Sequence, residues 1–278
     1  MNSDFKDKTI IITGGSAGVG AATARRFAAA GANLVLVARN RKNLEIIADE
    51  LRPTTRVETV TMDVSDTEAC ANLFKKAEFE FEAVHALVNN AGFHARGSVE
   101  SVSVADLSMM IDVNLKAPLI LSRLAIPYLK KSGGGAIINV ASLAGRTPVP
   151  GAATYSATKF GLRAFTMSLG EELRGSNIKL AAVSPGPIDT GFIMSDIDIV
   201  TDLTFSQPIC TADEVAVEIM KLCINNKTER SMPPISGLLT TISYLFPVLG
   251  RALRPVLERK GRRVKRKLKA QMRAGEVE

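Results

Sequence analysis

Thr9-Ile10-Ile11-Ile12-Thr13-Gly14-Gly15-Ser16-Ala17-Gly18-Val19-Gly20 sets the reading of the whole chain. Thr9 to Ile12 is a short apolar, β-branched run suited to a buried strand. After the glycines comes an Ala-rich helical segment that reaches Ala30. Strand, glycine turn, helix is the context in which such a stretch becomes an anion site. Gly14 can take turn conformations that other residues avoid, and Gly18 lets a pyrophosphate approach the backbone. Gly20 permits close helix–strand packing, and the helix N-terminus offers free N–H groups. Thr13, Ser16 and Val19 share the turn and join the candidate cofactor contacts.

Strands and helices alternate outward from this point. Asn33 to Ala38 is a second strand, ending where a dinucleotide fold meets the adenosine ribose. An acidic residue there would bond a 2′-hydroxyl, but this chain has Ala38-Arg39-Asn40-Arg41-Lys42. A guanidinium suits a 2′-phosphate, so the expected cofactor is NADP(H), held by Arg39. Val57 to Val64 is a strand ending on Asp63, a carboxylate able to accept from an adenine amino group or to cap the next helix. Ala86-Leu87-Val88 runs into Asn89-Asn90-Ala91-Gly92, whose small residues and amides would form a shelf for a ribose. Ser103-Val-Ala-Asp106 opens a long helix through Asn114 to about Lys131, in which Asn114 is a poor helix former that invites a reason. Lys179 to Ser184 is another strand, closed by the rigid turn Pro185-Gly-Pro-Ile-Asp-Thr190. The pattern predicts an α/β fold with one doubly wound parallel sheet, helices on both faces, and ligands at the carboxyl ends of the strands.

Ile137 to Ser142 reads as a buried strand ending on a hydroxyl, and Tyr155-Ser-Ala-Thr-Lys159 opens a helix thirteen residues later. Positions i and i+4 share a helix face, so the phenol and the ammonium lie together. A phenol with an ordinary pKa of about 10 is a weak acid at neutral pH, and a cation beside it favours the phenolate. Tyr155 is thus a candidate general acid/base, Lys159 its tuner, and Ser142 a holder of substrate oxygen. His94, one of only two histidines, lies just past the Asn-Asn-Ala-Gly loop; it reads first as a surface or packing residue, the alternative being a residue that borders the substrate.

Taken in order, Thr13-Gly-x-x-x-Gly-x-Gly20, Asn89-Asn-Ala-Gly92, Asn114, Ser142, Tyr155-x-x-x-Lys159 and Pro185-Gly186 resemble the short-chain dehydrogenase/reductase family over Lys8 to Asn225. The resemblance implies a Rossmann fold and a catalytic tetrad of Asn114, Ser142, Tyr155 and Lys159. It also implies that the tyrosine passes a proton to a carbonyl oxygen as hydride arrives, that the lysine binds the nicotinamide ribose, and that the asparagine holds a water. Cofactor contacts are expected from the glycine turn, Arg39, Asp63, Val64, Asn90, Ala91, Gly92, Pro185, Gly186, Ile188 and Thr190, with Tyr155 and Lys159. Family members commonly dimerise through helices equivalent to those of Asn114 and Tyr155, so a homodimer is expected. Many family members end with a strand and a glycine-rich Asp-Gly-Gly close, and this chain is expected to have none.

Composition and charge bound the rest. The 278 residues are 46% apolar, enough for one large core, and the three cysteines show neither metal spacing nor disulfide density. No apolar signal segment opens the chain, so a cytoplasmic location is expected. The net charge of +7 belongs to the tail: Arg251 to Glu278 holds eleven Lys/Arg against three Glu, leaving the other 250 residues at −1, and nucleic-acid binding is not expected. Residues 1–230 read as the Rossmann domain, with a substrate lid at 186–210 rich in apolar residues. Residues 231–278 read as a hydrophobic, then basic amphipathic extension. Met232 to Gly250 is uncharged but broken by Pro and Gly, too short to span a bilayer. Leu249, Leu253, Leu257, Val264, Leu268 and Met272 recur among many Lys and Arg, the pattern of a helix lying on a membrane surface or packed on the core. Together with the apolar lid, this favours reduction of a keto group on a lipid-like substrate at or near a membrane, as in 3-ketodihydrosphingosine reductases and some hydroxysteroid dehydrogenases. The alternatives are a 3-oxoacyl carrier-protein reductase and a catalytically silent NADP-binding sensor or scaffold.

Overall fold

The computed structural model describes residues 4–274; the parts of the terminal expectations at 1–3 and 275–278 lie outside them. In chain order the elements are β1 (Thr9–Thr13), α1 (Gly18–Ala29), β2 (Asn33–Ala38), α2 (Arg41–Leu51), β3 (Val57–Thr61), α3 (Thr67–Phe81), β4 (Ala86–Asn89), α4 (Val104–Ile111), α5 (Ala117–Lys131), β5 (Gly135–Val140), α6 (Ala153–Glu172) and β6 (Ile178–Pro185). There follow the two-residue pair β7 (Ile188–Asp189) and β8 (Cys210–Thr211), with the short α7 (Gly191–Met194) between them, and α8 (Ala212–Ile224). The chain closes with β9 (Glu229–Met232), α9 (Pro234–Leu245) and α10 (Pro247–Ala274). The main sheet runs β3-β2-β1-β4-β5-β6-β9, every pairing parallel.

Strand alternation divides the core. Ile10, Ile12, Leu34 and Leu36 point to the face covered by α1, α2 and α8, where Phe27, Leu44 and Ile219 meet them. Ile11, Val35 and Val37 point to the other face, packed by Phe74 of α3, Leu121 of α5 and Leu169 of α6. Side chains alternate across a strand, so a sheet buried on both sides needs apolar residues at every position, as in β1.

The helix ends follow local chemistry. Asn40 caps α2, and Asp66, not Asp63, caps α3 through Glu68 and Ala69 N–H. Ser103 caps α4, and Thr211 with Glu214 closes a full capping box on α8. The long helix predicted from Ser103 to Lys131 is interrupted by a π turn at Asp112–Lys116, in which Ala117 N–H reaches back to Asp112 O. This supplies the reason for Asn114: π turns displace a side chain from the helical register and cluster at functional sites.

One expectation is corrected. The closing strand is present as β9, on the outer edge of β6, and it crosses residue 230, where composition changes. Glu229-Arg230-Ser231 is polar because it pairs on one side only, so no apolar run reveals it. Glu229 is held by Arg163 and Arg146 and by the Ser184 hydroxyl.

The extension divides into two parts. The distal half of α10 lies on the lid: Val264 and Leu268 join Ile193, Met194, Ile197, Val200 and Phe205 in one cluster. Lys265 Nζ donates to Val200 O (2.6 Å) and Asp198 O (3.0 Å), Arg262 pairs with Asp202 (2.9 Å), and Lys269 with Asp198. By contrast, α9 and the first turns of α10 leave Leu238, Leu239, Leu245, Phe246, Val248 and Val256 exposed. Among the described residues no helix is long and apolar enough to cross a membrane.

Candidate active site

The glycine turn is built for a close approach. Gly14 (φ +68°) and Gly18 (φ +51°) occupy the left-handed region. A Cβ on Gly14 would lie 2.8 Å from Asn90 Nδ2, and one on Gly20 would overlap Gly14 O. Thr13 and Asn90 tie the ends of β1 and β4: the Thr13 hydroxyl accepts from Asn90 and Ala91 N–H (3.0 Å each), and Asn90 Nδ2 donates to Thr13 O (2.9 Å). Asn90 therefore fixes the turn with its amide. Helix α1 begins at Gly18 with no side-chain cap and no acidic residue in its first turn, so its N–H groups are free for an anion. Ser16 lies in the turn, Val19 is buried behind it, and Thr190 faces it, its Cγ2 3.4 Å from where a Gly18 Cβ would be. These features fit a dinucleotide pyrophosphate.

At the end of β2, Arg39, Arg41 and Lys42 are exposed, and no carboxylate occupies the strand end itself. Arg39 Nη1 stands 3.9 Å from Asp63 Oδ2. Burial raises the Asp63 carboxyl, but the Ser65 N–H and hydroxyl, with Arg39 beside it, outweigh that and hold it below the usual carboxylate range. Val64 is buried next to it. Pro185 ends β6, Gly186 N–H bonds Met232 O (2.8 Å), and Ile188 packs on the core at the mouth of the same crevice.

Ser142, Tyr155 and Lys159 converge at the carboxyl end of β5. Lys159 is buried, 5.7 Å from the Tyr155 ring centroid, and its Nζ donates to Val140 O (2.8 Å). Ser142 Oγ accepts from Ala144 N–H (3.1 Å). Burial pushes the Tyr155 phenol up, and the Ser142 hydroxyl and the Arg96 charge oppose the rise without reversing it. Lys159 itself is lowered to about 8 by burial, because its ammonium has left water for a single carbonyl. At neutral pH the phenol is therefore protonated, the form a proton donor needs.

Asn114 is fully buried, and its amide is spent on the chain after Gly92: Phe93 N–H donates to Oδ1 (2.8 Å) and Nδ2 donates to Phe93 O (2.6 Å). A water expected of Asn114 would need a main-chain group. The clamp delivers His94 onto Tyr155, the rings stacked with centroids 4.1 Å apart and planes at 9°. The packing role that the sequence favoured for His94 thus falls on the candidate acid itself. Arg96, which sequence reasoning missed, bonds His94 Nδ1 (3.0 Å), Phe192 O (2.6 Å) and Asp196 (3.2 Å), joining this loop to the lid. Its only sequence signal was an arginine four residues after Gly92.

A dinucleotide cradle, a protonated phenol and a buried amine at the ends of parallel strands define an oxidoreductase acting on a carbonyl or its alcohol with a nicotinamide cofactor. A profile of the family described as short chain dehydrogenase matches residues 8–198. The chain belongs to that family. It is 37% identical over 187 residues to sulfoacetaldehyde reductase 2 of Chromohalobacter salexigens, covering 66% of this chain and 74% of that protein. An uncharacterised oxidoreductase of Staphylococcus saprophyticus is 33% identical over 234 residues, 83% of this chain and 95% of the relative. Among solved structures, levodione reductase superposes with a TM-score of 0.77 at 25% identity, over 84% of this chain and 99% of the other.

Proposed function

We propose that this enzyme is an NADPH-dependent reductase of a lipophilic carbonyl compound, acting as a homodimer against an anionic membrane surface. The observation that carries the reading is the wall around Tyr155: the His94 ring on one face and the Phe192 ring 6.5 Å away on the lid. The other apolar lid residues support it less than their number suggests. Ile193, Met194, Ile197, Val200 and Phe205 fill their own cluster beneath α10, whereas the Phe192 ring lies near the tyrosine.

When bound, the dihydronicotinamide supplies the hydride. Tyr155 gives its proton to the substrate oxygen, Ser142 holds that oxygen, and Lys159 exchanges Val140 O for a ribose hydroxyl. Arg39, with Arg41 and Lys42, favours the 2′-phosphate. Because cells generally keep the NADPH pool reduced, reduction is the working direction. The exposed apolar elbow of α9 and α10, flanked by Arg251, Arg254 and Arg259, supports membrane contact. Exposed Val104, Met109, Ile111 and Met167, on or next to the Asn114 and Tyr155 helices, support a dimer face.

The test is NADPH consumption across keto-lipids, ketosteroids and acyl thioesters, with Tyr155→Phe alongside. Turnover of a lipophilic ketone that falls by about 10²–10⁴-fold in the variant, with NADPH affinity retained, is expected. Equal turnover by the variant would remove the assignment.

A further inference from the structure

Arg96 ties together two stretches of chain that are far apart in sequence. An arginine only donates, and here Nη1 bonds His94 Nδ1 (3.0 Å), Nη2 bonds Phe192 O (2.6 Å) and Nε bonds Asp196 Oδ2 (3.2 Å). The guanidinium also lies over the Phe192 ring, 5.6 Å from its centroid. The side chain is 9% exposed. Burying a guanidinium is costly unless its donors are met, and with each nitrogen engaged the group is fixed in one orientation.

The residues it holds wall the candidate site. On one side His94 stacks on Tyr155, centroids 4.1 Å apart. On the other, the Phe192 ring lies 6.4 Å from His94 and 6.5 Å from Tyr155. The segment carrying Phe192 is too short to keep this place unaided: α7 has four residues, against the roughly 12–15 that an isolated helix needs. Ile193, Met194 and Ile197 are anchored beneath α10, but Phe192 lies outside that cluster. Apolar packing thus secures the segment from the α10 side, and Arg96 secures it from the side of His94.

We propose that Arg96 is a positioning residue: it seats Phe192 and the backbone of 192–196 against the His94 ring, and so holds the aromatic wall beside which the carbonyl substrate binds. It acts through these neighbours and takes no part in proton or hydride transfer. The inference rests on the assignment of Tyr155 as proton donor to a carbonyl. Lysine is no substitute, because one ammonium cannot span acceptors that a planar, three-nitrogen group reaches on two segments.

The test uses Arg96→Met, which keeps an apolar stem and removes all three contacts, with Arg96→Lys and Asp196→Ala alongside. Asp196 is 42% exposed, so its loss removes one contact without touching the core. Amide hydrogen exchange is followed by mass spectrometry, because Ile193 and Met194 N–H bond Thr190 O only while α7 is held. Kinetics are measured with NADPH and nonan-4-one. In Arg96→Met, exchange over 191–197 should quicken by at least about fivefold while β5 and α6 are unchanged. The KM for the ketone should rise roughly tenfold, with that for NADPH constant and kcat changed less. Arg96→Lys should recover little, and Asp196→Ala should show a smaller shift of the same kind. Unchanged exchange over 191–197 would overturn the proposal, as would quickening spread through β5 and α6, local loosening with an unaltered ketone KM, or full recovery in Arg96→Lys. If Arg96→Met does not fold, Asp196→Ala decides: local quickening with a raised ketone KM upholds the role, and wild-type values reject it. If wild type reduces no carbonyl, the reductase reading falls, and the exchange pattern alone decides whether Arg96 seats the segment.

Discussion

At the scale of single residues, desolvation outweighs proximity. Lys159 stands one turn from Tyr155, yet burial raises the phenol and lowers the amine, so closeness of opposite tendencies does not by itself make a phenolate. His94 shows the same effect with a measurable consequence. Its pKa is 6.5 in the unfolded chain and about 3 in the fold, so between those values the unfolded state binds more protons. The stability present above pH 6.5 is then lost as pH falls toward 3. Denaturant unfolding at pH 7 and pH 4.5 should show a smaller acid loss for His94→Phe than for wild type. Some slope remains from His85, which burial and then Lys8 also lower. Equal losses would mean that His94 is not buried as a neutral ring. Arg39 offers a second residue-scale test. Arg39→Glu exchanges a guanidinium for a charge that repels a 2′-phosphate, so kcat/KM with NADPH should fall on the order of a hundredfold while that with NADH holds or rises. Parallel losses with both cofactors would place the 2′-phosphate elsewhere.

At the scale of elements, α10 carries the informative surprise. Gly261 is buried in the middle of this helix, and a Cβ there would overlap Asp202 O and come within 3.0 Å of Ser206 N. In an unconstrained helix, Gly→Ala stabilises by about 1 kcal/mol. Seated against the lid, Gly261→Ala should instead destabilise by roughly 1–3 kcal/mol, as overpacking does, and lower the melting temperature. A higher melting temperature would show that the helix does not rest on residues 202–206. The elbow ahead of it invites the opposite kind of change. Leu245 and Phe246 are 63% and 60% exposed, so converting both to Glu should leave folding intact. It should weaken binding to phosphatidylserine-containing vesicles by at least about tenfold. Vesicle binding equal to that of wild type would assign the elbow to a protein partner. Deleting the whole tail would not make this distinction, since it would also strip Val264 and Leu268 from the lid cluster.

At the scale of the molecule, seven parallel strands bring residues from positions 13 to 190 to one edge of the sheet, which is why motifs far apart in sequence share a crevice. The sheet, its two covered faces and the glycine turn were legible because they depend on local pattern: continuous apolar runs, glycines between strand and helix, caps such as Ser103 with Asp106. Edge strand β9 was not legible, because a strand paired on one side tolerates Glu, Arg and Ser. Nor could periodicity say which turns of α10 face the lid and which face outward, because both carry leucine or valine among cations and differ only in what lies opposite. The partners of His94 and Arg96 were likewise invisible, since the lid that Arg96 grips is about a hundred residues away along the chain. By itself, then, the sequence determined the order of strands and helices and the residue types at their ends, which short-range sterics and burial dictate. Only the tertiary structure decided how charged and aromatic groups are desolvated together, because that energy depends on neighbours the chain must fold to acquire.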